Sequence, residues 1–293
     1  MEKRLIIIDS NSLLHRAFHA LPPLTNKNGQ PTGAVYGFLL TLFKAIKDLK
    51  ANYIVACFDT PKPTFRHEQF KEYKAHRLAT PDGIVSQIPI MKEVLKSFDI
   101  PIFEKEGFEA DDLIATIAQM SKITAEVYIV SGDLDNLQLV DEKTKVYTLG
   151  KGIKDSVVYD AEKVVQRFGV KPSQMNDFKA LTGDASDNVP GVAGIGKTTA
   201  ADIIQRFGSI ENLYQELSTD TAVLKPKIKE ALKANKESAF LSLQLVKTKK
   251  DVPISFNLED CKFGVFDQKK VINVFSELGF NSLINRLSDI IFN

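Results

Sequence analysis

The 293-residue chain has only two cysteines, Cys57 and Cys261, far apart and in no metal-ligand spacing. That excludes a disulfide framework and a thiolate zinc site, and makes a reducing cytoplasm the expected compartment. An excess of one charge is also missing: 38 Lys and Arg stand against 37 Asp and Glu, which alone argues weakly against nucleic-acid binding. No apolar run is long enough to cross a membrane. The N-terminus, Met1 to Asp9, passes from charged residues into a short apolar segment without the cleavage site of a signal peptide. No repeat or low-complexity tract occurs, and no Ser/His/Asp or Cys/His set points to covalent catalysis. What is present, 44% hydrophobic and 26% charged residues, suffices for one large or two modest domains.

The neutral total conceals local districts. Glu104 to Asp112 carries five acids and one Lys, whereas Lys62 to Arg77 carries five Lys or Arg and two Glu. Lys225 to Lys236 carries five Lys and one Glu. Such districts govern partners more than the sum does.

In the first half, Leu5–Ile8, Tyr53–Phe58 and Val127–Val130 are nearly unbroken apolar runs rich in β-branched residues, which predicts strands buried on both faces of a parallel sheet. Ile100–Phe103 and Val146–Leu149 are weaker companions, and Pro101 places the former at a sheet edge. Helical patterns over Gly33–Lys50, Ile84–Phe98 and Ala110–Ser121 alternate with them. From about Asp160 the strand signal stops. Short helices are predicted over 161–168, 172–181, 198–207, 210–217 and 225–234, punctuated by glycines. The expected fold is therefore α/β: a mostly parallel sheet with flanking helices over 1–160, joined to a helical region over 161–293.

Carboxylates carry the chemistry. Ligands of a doubly wound sheet bind outside the carboxyl ends of its strands. Three apolar runs end on acids there: Asp9, Asp59, and Asp133 with Asp135. Glu109, Asp111 and Asp112 begin a helix, where acids also serve as caps, and Asp184 and Asp187 sit in a polar loop. Each alone is ordinary. Nine together, without a His or Cys cluster, indicate hard oxygen ligands for Mg²⁺ or Mn²⁺, and two such ions can hydrolyse a phosphodiester.

Several segments then acquire a joint meaning. They are Ile8-Asp9-Ser10-Asn11-Ser12, Phe65-Arg66-His67-Glu68, Tyr73-Lys74-Ala75-His76-Arg77, Glu109-Ala110-Asp111-Asp112, Gly132-Asp133-Leu134-Asp135 and Thr182-Gly183-Asp184-Ala185-Ser186-Asp187-Asn188. In this order the chain resembles the 5′ nuclease domain of bacterial DNA polymerase I and, more broadly, the flap endonuclease superfamily. The resemblance implies a PIN-like nuclease core and a two-metal 5′-3′ exonuclease and flap endonuclease acting in replication and repair. Asp9, Asp59, Glu109 and Asp111 would hold the first ion. Asp133, Asp135, Asp184 and Asp187 would surround the second, with Asp112 adjacent.

Lys62 to Arg77, extended to about residue 80, mixes Phe65, Phe70 and Tyr73 with five cations. It is either a solvated amphipathic helix or a gateway that stacks bases and follows phosphates, and its place after Asp59 favours the gateway. The resemblance implies an arch in which Arg66 and Lys74 stabilise the scissile phosphate. Tyr73 would stack on a nucleotide near the cut, and Arg77 would contact DNA.

Gly191 to Thr198 matches the Walker A pattern letter for letter. The motif works only after a buried strand, and Thr182–Pro190 is polar and turn-forming, so a nucleotide hydrolase is disfavoured. A helix–hairpin–helix over about 177–208 fits better. There Gly191, Gly194, Gly196, Lys197 and Thr198 would offer the hairpin and a helix N-terminus to duplex phosphates. The resemblance implies an extended helix–three-turn–helix form with K⁺ as a candidate ion. Its usual lysine is one place later than Lys197, so only the backbone contacts carry over. The expected partners are DNA with 5′ flaps, nicks or junctions, and RNA 5′ ends on DNA. The expected state is a monomer away from membranes, and the chain ends suggest a stand-alone nuclease. A non-catalytic junction binder and a related ribonuclease are the remaining rivals.

Overall fold

The structure, a computed structural model, describes residues 2–150 and 155–291. The expected domain ranges also take in residues 1, 151–154, 292 and 293, which lie outside the described residues. Six strands, β1 (Arg4–Asp9), β2 (Tyr53–Cys57), β3 (Ile102–Phe103), β4 (Glu126–Val130), β5 (Thr144–Leu149) and β6 (Ser156–Tyr159), form one sheet in the order 3-2-1-4-5-6. Pairing is parallel from β3 through β5, with β6 antiparallel to β5.

The helices of the first half are α1 (Ser10–Ala20), α2 (Gly33–Leu49), α3 (Phe65–Gln69), α4 (Asp82–Val85), α5 (Gln87–Ser97) and α6 (Ala110–Ser121). The second half holds α7 (Ala161–Phe168), α8 (Met175–Thr182), α9 (Lys197–Phe207), α10 (Ile210–Ser218), α11 (Pro226–Ala234), α12 (Lys236–Val246), α13 (Gln268–Leu278) and α14 (Asn281–Ile284).

The continuous apolar runs are explained by cover on both sides. Leu5, Ile7, Val55, Val127 and Ile129 lie in one core with α6 and with Ile203, Ile204 and Leu213 of the helical half. Ile6, Ile8, Ile54 and Ala56 point the other way, into a core with Phe38 and Leu42 of α2 and Met91 and Leu95 of α5. Alternate side chains of a strand face opposite sides, so both must be apolar.

Helices α1, α12 and α13 stand outside the elements predicted above. The polar start of α1, Ser10-Asn11-Ser12, masks its apolar face, although Asp9 caps it by accepting from the Ser12 N–H at 3.2 Å. Helix α12 is apolar on more than one side, since it is wedged against both α8 and α10, so no single stripe marks it. The region expected over 161–293 does not stay apart from the sheet domain. Phe275 of α13 meets Phe43, Phe98 and Phe280, returning the last helices to the α2–α5 side of the sheet.

Candidate active site

Strand order reverses between β1 and β4, which is where an open parallel sheet leaves a crevice at its carboxyl ends. A cavity of about 780 Å³ opens there, lined by Asp9, Asp59, Glu109, Asp111, Asp133 and Asp187 with Lys74 and Arg77. A smaller cleft beside it shares Glu109, Asp111 and Asp187 and adds Asp135 and Asp184. Eight of the nine acids singled out above are thus brought to one place from both halves of the chain.

Backbone donors and hydroxyls hold these carboxylates. Asp9, the last residue of β1, accepts from the Ser131 hydroxyl at 2.6 Å. Ser131, just past β4, also takes the Asp133 N–H at 2.8 Å. Asp59 accepts from the Ala110 N–H at 2.7 Å, so the first turn of α6 is tied to the end of β2. Asn136 donates to Asp111 at 3.3 Å and to Ser131 at 3.4 Å, while its own buried carbonyl oxygen has no partner. Ser131 and Asn136 carry no signal in the sequence, because a lone serine or asparagine between acids forms no pattern.

The crowding changes the acids. Burial pushes Asp9 up to about 7, helped by repulsion from Asp133 and Asp59 and opposed by the Ser131 hydrogen bond. Burial likewise raises Asp135 to about 7, with Asp133 adding repulsion and Lys179 opposing it. Asp111 is raised well above the ordinary range by burial and by Asp9 and Asp133. Asp184 goes the other way, to about 2: burial opposes the shift, but Ser186 and Lys179 outweigh it.

Basic side chains now occupy the middle of the cluster. Lys179 of α8 bridges Asp135 and Asp184, the latter at 2.9 Å. Lys74 lies 2.7 Å from Glu109 and 3.9 Å from Asp187, and Arg77 pairs with Asp187. Among the described residues, no three acid, His or Cys side chains form a ready metal sphere as they stand. The donor set nevertheless fits a hard divalent cation. It is all oxygen, it is held by a surrounding shell of donors, and it is so short of positive charge that two lysines are drawn into it. Lys179 had no recognisable sequence signal, being one cation in an ordinary helix.

Three expected roles change. Asp112 does not face the cavity. It is fully buried and accepts a bidentate pair from Arg66, both bonds at 2.8 Å, as well as the N–H groups of Glu109 and Lys249. It is thus a cap and counterion, not a ligand. Arg66 is 2% exposed; its other donors go to the carbonyls of Leu245 and Lys247, and Nη1 also lies 3.3 Å from Glu109, so protein acceptors already take the guanidinium and it offers nothing to a phosphate here. A guanidinium with that many acceptors already satisfied would lose all of them on leaving. Tyr73 is also buried, its hydroxyl donating to Glu109 at 3.2 Å and its ring packed near Val189 and Leu245, which does not leave a face for stacking.

The glycine segment has the hairpin geometry. It follows helix α8, so the strand that a P-loop needs is absent from this position. Gly183 (φ 69°) and Gly191 (φ 66°) touch: a Cβ on Gly191 would lie 2.4 Å from the Gly183 nitrogen. Helix α12 braces the hairpin, with Gly191 donating to Ser242 and accepting from Ser238. Gly194, Gly196, Lys197 and Thr198 are exposed at or just before the start of α9, whereas Gly191, expected to meet a phosphate, is buried with its N–H and carbonyl both taken by α12 and only shapes the hairpin.

Fold and site together define a carboxylate-centred nuclease. Sequence models of the 5′-3′ exonuclease N-terminal resolvase-like domain and of the 5′-3′ exonuclease C-terminal SAM fold match residues 4–169 and 170–269. The chain belongs to the 5′-3′ exonuclease family. It is 39% identical over 289 residues to a 5′-3′ exonuclease of Aquifex aeolicus, covering 98% of this chain and 96% of that one. It is 41% identical over 288 residues to DNA polymerase I of Bacillus subtilis, covering 98% of this chain but spanning only 32% of the polymerase. Among solved structures, T5 5′-exonuclease with bound zinc shares the fold at a TM-score of 0.70 and 23% identity, over 98% of each chain. The catalytic core of Rad2 in complex with DNA substrate shares it at 0.62 and 19% identity, over 99% of this chain and 93% of that one.

Proposed function

We propose that the chain hydrolyses DNA phosphodiesters close to 5′ ends at junctions of single and double strand, releasing flaps and shortening 5′ termini during replication and repair. The observation that carries this reading is the set of eight carboxylates gathered at the strand-order reversal, several of them buried and raised in pKa. We assign Asp9, Asp59, Glu109 and Asp111 to one Mg²⁺ or Mn²⁺ ion and Asp133, Asp135, Asp184 and Asp187 to a second. Such ions, when bound, generate a nucleophilic water and stabilise the leaving oxygen.

The chain's own contribution is positioning and charge. Ser131 and Asn136 orient Asp9 and Asp111, and Lys74 and Arg77, once parted from Glu109 and Asp187, are placed to meet a phosphate at the cavity mouth. The hairpin at Gly194, Gly196, Lys197 and Thr198 would grip the duplex through phosphates, with K⁺ as its ion. Recognition would be by shape, and RNA 5′ ends annealed to DNA fall within the same substrate class. We place the chain in the cytoplasm as a monomer; separately, no described helix is long and apolar enough to cross a membrane.

The test is cleavage of a 5′-labelled flap duplex with and without Mg²⁺, comparing wild type with Asp133→Asn. Metal-dependent release that the variant loses while still binding DNA supports the assignment. A folded wild type that binds the flap but never cuts it, in Mg²⁺ or Mn²⁺, would refute it.

A further inference from the structure

We propose that Asn188 is a positioning residue that clasps the gateway turn to the helical half, so that the duplex grip and the gateway share one frame. The inference rests on the nuclease reading for what the gateway does. Its structural basis is independent of it.

The loop carrying Asn188 is stiff. Asp184 and Val189 exchange reciprocal backbone hydrogen bonds at 2.9 and 2.8 Å, and Gly183 and Gly191 close the ends against each other. From this loop two bonds reach the gateway. The Asn188 side-chain amide donates to the Glu72 carbonyl at 2.7 Å, and the Asp187 carbonyl accepts the Lys74 N–H at 2.9 Å. On either side of that contact sits a non-glycine residue in the left-handed region, Asn188 at φ 56° and Lys74 at φ 57°. Lysine has no intrinsic reason to adopt it, whereas asparagine tolerates it well. Lys74 makes its backbone bond to Asp187 in this conformation, within a turn closed by the Ala75–Glu72 and Arg77–Lys74 backbone bonds.

The packing beneath agrees. Tyr73 and Phe70 of the turn lie among Val189, Leu241 and Leu245, all from the helical half. The turn that aims Lys74 at Glu109 thus packs on α12 and the Asp184–Val189 loop of the helical half, while its bonds to Glu109 tie it to the first half. The Asn188 amide is solvent-accessible and is not needed to close its own loop, whose ring of backbone bonds stands without it.

Two variants of the full chain separate positioning from folding. Asn188→Gly keeps the left-handed backbone and removes the amide. Asn188→Asp keeps the shape and turns the donor into an acceptor facing a carbonyl. Both should lower the single-turnover rate of flap cleavage at saturating DNA by about 10- to 100-fold, while affinity for a flap-free nicked duplex stays within about twofold. Trypsin should cut DNA-free protein faster after Lys71, Lys74 and Arg77, with other sites and the melting temperature as in wild type. Wild-type rates with a wild-type trypsin pattern would overturn the proposal. So would lost activity accompanied by faster cutting along the whole chain and a lower melting temperature in both variants. If wild type cuts no flap, the nuclease reading fails, and the trypsin pattern alone decides the clasp.

Discussion

At the scale of single residues, the site separates charges that must stay from charges that can move. Arg66 and Asp112 form a fully enclosed pair, and removing one partner strands the other. Arg66→Met should therefore cost about 3–5 kcal/mol in thermal or urea unfolding, and Arg66→Met/Asp112→Leu should recover only the part due to the stranded charge, because the Glu109 and Lys249 N–H groups then lose their acceptor. A loss of activity with unchanged stability would return Arg66 to the phosphate. Asp9 and Asp135 behave oppositely to ordinary acids. Their folded values, both about 7, lie above the ordinary 3.8, so the folded state binds their protons more tightly than the unfolded state does. Their contribution to stability is complete below pH 3.8 and is lost as pH rises towards 7. If Asp9 and Asp135 hold a divalent cation as proposed, it must displace those protons, so the rise in melting temperature produced by Mg²⁺ should grow between pH 5 and 8. A rise independent of pH would contradict this.

At the scale of elements, the hairpin depends on two glycines that meet face to face. Gly191→Ala places a Cβ against the Gly183 backbone as well as straining φ, whereas Gly194→Ala, at φ 84°, meets no atom within 4 Å. The expected order is therefore a loss of about 1–2 kcal/mol for Gly194→Ala and a distinctly larger one for Gly191→Ala. Gly191→Ala should also abolish duplex binding, and Gly194→Ala should weaken it less, as a gel-shift titration would record. Equal effects would mean that the Gly183–Gly191 contact does not shape the hairpin.

At the scale of the whole molecule, the two halves are not separable blocks. One core joins Leu5 and Ile7 of β1 to Ile203 of α9, and the other joins Phe38 of α2 to Phe275 of α13. Truncation after Lys262 would strip Val271 and Phe275, both fully buried, from the α2–α5 face. Such a chain should lose cooperative unfolding by circular dichroism, although α13 lies in the other core from α8 and α9. A sharp, wild-type-like melt would show the last helices to be an ornament. Binding to duplex, for its part, should weaken steeply with salt despite the formal net charge of +1, because local cations release counterions regardless of the total.

The strands at Leu5, Tyr53 and Val127, the helices between them and the acids at their ends were legible from the chain, because burial on both faces enforces unbroken apolar runs and leaves the first polar residue beyond them conspicuous. The hairpin was legible for a similar reason, since a P-loop requires a strand that the local residues could not make. Short-range pattern thus determined which residues were candidates. Which of them face the cavity was decided only in three dimensions. Asp111 and Asp112 are adjacent in sequence, yet one lines the crevice and the other turns inward to Arg66 because a helix rotates successive side chains by about 100°. Lys179 and Asn188 likewise gain their partners across gaps that no periodicity spans, Asp135 in one case and Glu72 in the other. A charge or an amide finds its counterpart through the packing of whole elements, and that packing belongs to the tertiary structure alone.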